Sequence, residues 1–156
     1  MSTKTETKID GKRTDHKTYG LDCPIARSLD VIGDRWTLLI IRDLIAGRTK
    51  YQDLLESLEG ISTNLLAERL SRLVEEDIVT KILYNEKPPR VEYQLTEQGQ
   101  QLAAVVDSLF HWGVQWRGWG DAPELRSLRE LMIHTLALKP EDVRIVKAKR
   151  SRVRFI

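Results

Sequence analysis

Cysteine occurs once in the 156 residues, at Cys23. That count excludes an internal disulfide framework and leaves one thiol whose state would follow a reducing compartment. No apolar run approaches the roughly 18 residues that a membrane span needs, and the Lys/Thr-rich start lacks the apolar stretch of a secretory signal, so a cytoplasmic protein without membrane contact is expected. The three histidines (His16, His111, His134) are dispersed, and H-E-x-x-H, P-loop, G-x-S-x-G and C-x-x-C motifs are all missing. Metal sensing would need clustered His, Cys or carboxylate ligands, which the spacing does not supply. The expectation is a chain that is not an enzyme and that carries neither cofactor nor metal.

Hydrophobic content of 41% and charged content of 31% describe one globular domain with a small appendage. The net charge of +2 is unevenly placed. Residues 1–18 hold five Lys/Arg against three Asp/Glu, and residues 139–156 hold seven against two, which leaves the middle with a net −5. An acidic middle argues against a nucleic-acid footprint spread over the whole surface, so local placement must carry any such reading.

Residues 1–18 are polar and aperiodic and read as a mobile tail. Pro24 suits the first position of a helix, which makes Cys23 its N-cap, and Ile25, Leu29 and Ile32 follow at helical spacing. Gly33 ends this helix and Asp34 caps the next, Arg35 to Ala46, which is apolar nearly all round and belongs in the centre. Thr49 with Gln52 fits a capping box for a third helix bearing Tyr51, Leu54, Leu55 and Leu58.

The stretch GISTNLLAERLSRLVEED, residues 60–77, organises the rest. Ser62 is placed to cap a helix in which Leu66, Leu70, Leu73 and Val74 recur at i, i+4, i+7 and i+8, a stripe facing a core. The other face carries Thr63, Asn64, Ala67, Glu68, Ser71 and Arg72, with Arg69 nearby. Short polar side chains let a backbone approach closely. In a major groove Asn can bond adenine edges, Arg can bond guanine or phosphate, and Ser or Thr can reach either. Helices three and four therefore have the layout of a helix-turn-helix pair whose second member enters DNA, although a polar face of this kind also suits a solvated surface.

From Ile78 the period changes to that of strands, Val79 to Tyr84 and Val91 to Leu95, joined by Asn85 to Arg90. Pro88 and Pro89 stiffen that connection, and Lys87 and Arg90 make its tip positive, a wing able to meet phosphates or simply a soluble loop. Thr96 then caps a long helix with an apolar stripe of Leu102, Val105, Val106, Leu109, Trp112, Trp116 and Trp119. A domain this small cannot bury all of it, so a homodimer through this helix and the first (Ile25, Leu29) is expected; packing against the chain's own C-terminal segment is the alternative. Residues 121–156 read as an extension, one helix followed by a basic strand, hairpin or arm.

The chain resembles the HxlR-like family of winged-helix transcriptional regulators over about residues 20–119. Four blocks carry the resemblance: Cys23-Pro24, IGDRW at 32–36, GISTNLLAERLSRL at 60–73 and PPRVEYQLTEQG at 88–99. It implies a mainly α fold with a small β-hairpin, a winged helix-turn-helix domain over 19–120 with a long C-terminal dimerisation helix, and a homodimer on inverted-repeat operators in double-stranded DNA. Some members sense quinones, aldehydes or oxidants through the cysteine matching Cys23, which makes a small electrophile or oxidant a candidate partner. Two departures stand out. Asp77 occupies a position where the family commonly has a glycine closing the recognition helix, and residues 121–156 run beyond the family's usual end.

The DNA-binding set from this reading is Ser62, Thr63, Asn64, Ala67, Glu68, Arg69, Ser71, Arg72, Lys87 and Arg90. A thiolate at Cys23 would be favoured by the helix macrodipole and unpaired N–H groups, whereas the alternative is a small filler of the helix start. The competing function is a winged-helix protein-interaction module without specific DNA binding, its acidic middle meeting a basic partner. Steep salt dependence of DNA binding separates the two.

Overall fold

The computed structural model describes residues 17–86 and 88–118. Six helices and one antiparallel hairpin follow in the order α1 (Pro24–Ile32), α2 (Thr37–Ile45), α3 (Tyr51–Ser57), α4 (Thr63–Glu75), β1 (Val79–Glu86), β2 (Pro89–Leu95), α5 (Glu97–Gln101) and α6 (Ala103–Arg117). None of these helices is long and apolar enough to cross a membrane. Lys87, Trp119 and the extension over 121–156 lie outside the described residues, as do residues 1–16 of the expected tail.

Cys23 is the extended N-cap of α1, its carbonyl accepting from the Arg27 N–H at 3.0 Å, and Pro24 takes the first turn, where a missing donor costs nothing. α1 turns Ala26 and Ile32 inward and leaves Ile25 and Leu29 outside. Asp34 caps α2: its Oδ1 accepts from the N–H groups of Trp36 (3.0 Å) and Thr37 (3.1 Å), and the Thr37 hydroxyl donates to Oδ2. α2 is central as its sequence suggests, with Ile40 and Ile41 fully buried, but it begins at Thr37 rather than Arg35.

The expected capping box at Thr49 and Gln52 does not form. Lys50 is the N-cap of α3 and makes no side-chain cap; instead the Thr49 carbonyl accepts from the Tyr93 N–H at 2.7 Å, and Lys50 bridges Glu92. Backbone pairing with β2 holds the chain extended here and replaces the cap. α3 buries Leu54 and is followed by buried Leu58, after which Gly60, at φ +94, makes the turn under Trp36 that aims α4.

Leu66, Leu70 and Leu73 of α4 are buried to within 1% of full coverage, with Val74 packed at their edge. The end of α4 is a Schellman closure: the Asp77 N–H donates to the Val74 carbonyl at 3.1 Å and the Ile78 N–H to the Leu73 carbonyl at 2.9 Å. The closure requires a left-handed residue, and Asp77 takes φ +56, the one positive-φ residue other than glycine among those described. Asp tolerates this region better than most side chains, so the departure from glycine leaves the turn into the wing intact.

β1 and β2 pair in register from Val79↔Leu95 to Glu86↔Pro89, with an irregularity between Leu83 and Asn85. Both strands run further toward the tip than expected, past Tyr84 and from Pro89, because proline at the first residue of a strand forfeits no ladder bond. The long helix is interrupted. Thr96 does cap it, its Oγ1 accepting from the Gly99 N–H at 3.1 Å, but α5 ends at Gln101. At Leu102 the bonds tighten to i→i+3, Leu102 N–H to the Gly99 carbonyl at 3.1 Å and Val105 N–H to the Leu102 carbonyl at 3.0 Å. Gly99 sits so close to the start of the wing that a Cβ there would lie 2.2 Å from the Ile78 carbonyl oxygen. α6 contributes Ala103, Val106 and Phe110 to the core that α2, α3, α4 and the root of the wing share.

Candidate nucleic-acid interface

The first turn of α4 is held from two sides. Ser62 Oγ accepts from the Leu65 N–H at 3.2 Å, as its type and position predict. The Tyr51 hydroxyl of α3 donates to the Thr63 carbonyl at 2.7 Å, linking the two helices of the pair. Burial and then the neighbouring Tyr51 push the Tyr93 phenol up, so it stays neutral around pH 7.

Opposite the leucine stripe, Ser62, Thr63, Asn64, Ala67, Glu68 and Ser71 are all exposed. With 3.6 residues per turn, Asn64, Ala67 and Ser71 fall on one line along the helix, and none of them is covered by its own subunit. Arg90, near the tip of the wing, is exposed as well.

The two arginines of α4 stand elsewhere. Arg69 retains 19% of its side-chain exposure and pairs with Asp34 (Nε to Oδ1, 3.1 Å) and Glu68 (NH1 to Oε1, 2.9 Å). Arg72 is half-buried, and its guanidinium donates to the carbonyl oxygen of Asp30 in α1. The sequence pattern puts both on the groove-facing side; the helix rotation fixed by Leu66, Leu70 and Leu73 turns them to the flank toward α1 instead. Burial alone would raise the Asp34 carboxyl, but hydrogen bonds from the Thr37 hydroxyl and the Trp36 and Thr37 N–H groups, with the Arg69 charge, hold it below the ordinary value. Asp30, Asp34 and Tyr51 are therefore the polar partners that brace α4 once its leucines are packed. The Asp30 contact has no signal in the sequence pattern, because Arg72 and Asp30 are 42 positions apart.

A second surface is left open. Val105, Leu109, Trp112 and Trp116 form a stripe at i, i+4, i+7 and i+11 on the outside of α6, with Trp116 66% exposed, and Ile25 of α1 is 71% exposed. The core side of α6 is a separate stripe of Ala103, Val106 and Phe110 at i, i+3 and i+7, so Val106 leaves the exposed stripe expected for it and Phe110, absent from that expectation, joins the core. Cys23 is half-buried at the start of α1, two residues from Ile25.

A helix-turn-helix pair with a capped second helix, a hairpin directly after it and, last among the described residues, a helix with a spare apolar face make up the winged helix-turn-helix arrangement, and the profile of the HxlR-like helix-turn-helix family matches residues 31–120. The chain belongs to that family. An uncharacterized HTH-type transcriptional regulator of Synechocystis is 36% identical over 94 residues, 60% of this chain and 70% of that protein. Coverage of two mycobacterial relatives, 35% identical, is 64% of their length. Among solved structures, the redox regulator HypR in its reduced form aligns with 32% identity and a TM-score of 0.58, covering 61% of this chain and 94% of that one. The reduced form of the Bacillus subtilis transcriptional regulator YodB aligns with 36% identity and a TM-score of 0.54, covering 65% and 100%. This HxlR-like chain is thus a transcriptional regulator of the helix-turn-helix type.

Proposed function

We propose that this regulator is a homodimer that reads inverted-repeat operators in double-stranded DNA, with α4 in the major groove and the wing against the backbone. Thr63, Asn64, Ala67, Glu68 and Ser71 face the base edges, while Arg90, and Lys87 on the other side of the two prolines in sequence, meet phosphates. Ser62 holds the helix start. Arg69 and Arg72 act as positioning residues, bracing α4 through Asp34 and Asp30. The observation that carries this reading is the uncovered line of Asn64, Ala67 and Ser71 on a helix whose first turn is fixed by Ser62 and Tyr51. Short side chains there allow the close approach that base contact needs. The dimer is supported by the exposed indole stripe of α6 and by Ile25 and Leu29 of α1, a surface too apolar for a free helix.

Selection of bound fragments from genomic DNA tests the reading. It expects enriched inverted repeats with half-sites about one helical turn, roughly 34–36 Å, apart or at a multiple of it, and affinity that falls steeply with salt. Absence of any enriched fragment would instead favour a protein-interaction module.

The signal we propose is an electrophile or oxidant acting at Cys23. Support comes from its place at the N-terminus of α1, beside the apolar face, and from the likeness to HypR, named as a redox regulator. With one cysteine per chain, a disulfide would have to join two subunits or take up a small thiol. Cys23→Ser should abolish any change in operator affinity on treatment with diamide or a quinone; an identical response in both proteins would remove the sensing role.

A further inference from the structure

Glu68 puts a carboxylate on the helix face that a polyanion is to approach. Its position is not marginal. At about 100° per residue it lies about 140–160° around α4 from each of Leu66, Leu70 and Leu73, so it points away from the core, one turn from Asn64 and on the same side. Its side chain keeps 59% of its exposure. An acid there opposes the phosphates of any duplex that the helix enters, unless it meets a donor in the groove.

The surroundings hold the carboxylate in place. Adjacent positions on a helix do not face one another, yet Arg69 reaches back and donates from NH1 to Glu68 Oε1 at 2.9 Å, while its Nε pairs with Asp34 Oδ1 at 3.1 Å. Arg69 is thereby fixed at both ends. The cleft on this flank is lined by Lys17 and Arg72 as well as by the acids Asp30 and Asp34. The end of the N-terminal stretch, expected to be mobile over residues 1–18, is tied down beside it: the Thr18 hydroxyl donates to Asp30 Oδ2 at 2.7 Å and the Tyr19 N–H to Oδ1 at 2.9 Å. Glu68 Oε2 has no hydrogen-bond partner among the described residues. One acceptor oxygen is clamped, and the other is left to solvent.

A carboxylate can only accept, which restricts the base edge it tolerates. In the major groove cytosine presents its N4 amino donor, guanine the acceptors O6 and N7, thymine the acceptor O4, and adenine an amino donor next to the acceptor N7. Oε2 gains a charge-assisted bond at cytosine and meets lone pairs at guanine and thymine; at adenine the neighbouring N7 offsets the gain. We infer that Glu68 is a specificity-determining residue that selects a C·G pair in each half-site, as much by rejecting guanine and thymine as by accepting cytosine. This rests on the DNA-binding reading above and names the base that one of its residues reads. Arg69 touches no base in this arrangement and keeps the carboxylate pre-set.

The test uses the full-length parent, Glu68→Ala, Glu68→Gln and Asn64→Ala, all folded by circular dichroism. Each is titrated against a genomically selected operator and against versions in which every base pair of both half-sites is changed in turn. In the parent, one C·G position should lose about tenfold in affinity when changed to T·A or G·C. In Glu68→Ala that position should tolerate all four pairs nearly equally, with the preferences elsewhere kept. Glu68→Gln has the same shape but can also donate, so it should admit thymine and guanine there. A uniform change of affinity with every parental base preference retained in both Glu68 variants would overturn the assignment and leave Glu68 as a partner of Arg69 alone. Asn64→Ala keeps the two ideas apart: if it loses preference at its own position while the Glu68 variants keep all of theirs, the recognition helix stands and the cytosine reading fails. A parent indifferent to every base change defeats both.

Discussion

The Tyr51 hydroxyl sits 2.7 Å from the Thr63 carbonyl oxygen and donates to it, so the angle between α3 and α4 is held by a side chain from one helix on the first turn of the other. Tyr51→Phe keeps the ring in its half-buried place and removes only this bond. A stability loss of about 1 kcal/mol is expected in urea unfolding. Operator affinity should fall as well, because the same bond sets how Thr63 and Asn64 are presented. A variant with parental stability and affinity would show that packing alone orients the pair.

Asp77 carries φ +56 at the closure of α4. Glycine has no Cβ to strain there, so Asp77→Gly should raise stability by up to about 1 kcal/mol, part of the gain being offset by the freer unfolded chain. Asp77→Val should lower it by more than that, because a β-branched residue resists this region. Urea midpoints of the three proteins give the order, and a destabilised Gly variant would contradict the left-handed assignment.

Asp34 provides a pH dependence whose sign follows from its environment. Its folded carboxyl titrates below the ordinary 3.8, so the folded protein binds its proton less readily than the unfolded chain does. The stabilisation is complete above pH 3.8 and is lost as pH falls below it, through the folded value. Asp34→Ala should cost about 1–2 kcal/mol at neutral pH, a typical helix-cap loss, and the gap from the parent should close in acid. A gap that stayed constant as the pH is lowered well past 3.8 would remove the charge from the argument.

On α6 the exposed Leu109, Trp112 and Trp116 are expected to lie at the subunit interface. Trp112→Glu, on the side of α6 away from the core, should shift sedimentation from dimer to monomer while leaving the circular dichroism spectrum unchanged. Dimer retained in Trp112→Glu combined with Leu109→Glu would place the interface elsewhere.

How far the sequence could be read depends on the range of the interactions involved. Local devices were legible: Pro24 after Cys23, the Ser62 cap, the Leu66, Leu70 and Leu73 stripe and the alternation of the wing each act within a few residues. Failures came where a distant partner outweighed a local preference. Thr49 pairs with Tyr93 in place of capping α3, and Gly99 lies against the Ile78 carbonyl just before the helix that Thr96 begins breaks at Leu102. Arg69 and Arg72 have a residue type suited to DNA, but their neighbours Asp34 and Asp30 become visible only once α1 is folded against α4. The exposed face that remains, from Thr63 to Ser71, was readable because the buried leucines define it by subtraction.

The central claim is that this face reads bases, and the ratio of affinities for a selected operator and a mixed-sequence duplex of equal length measures it directly. Asn64→Ala should reduce that ratio by about tenfold or more, corresponding to about 1–3 kcal/mol for a bidentate base contact, while binding to the mixed duplex stays close to parental. An unchanged ratio in Asn64→Ala and in Ser71→Ala together would contradict the account.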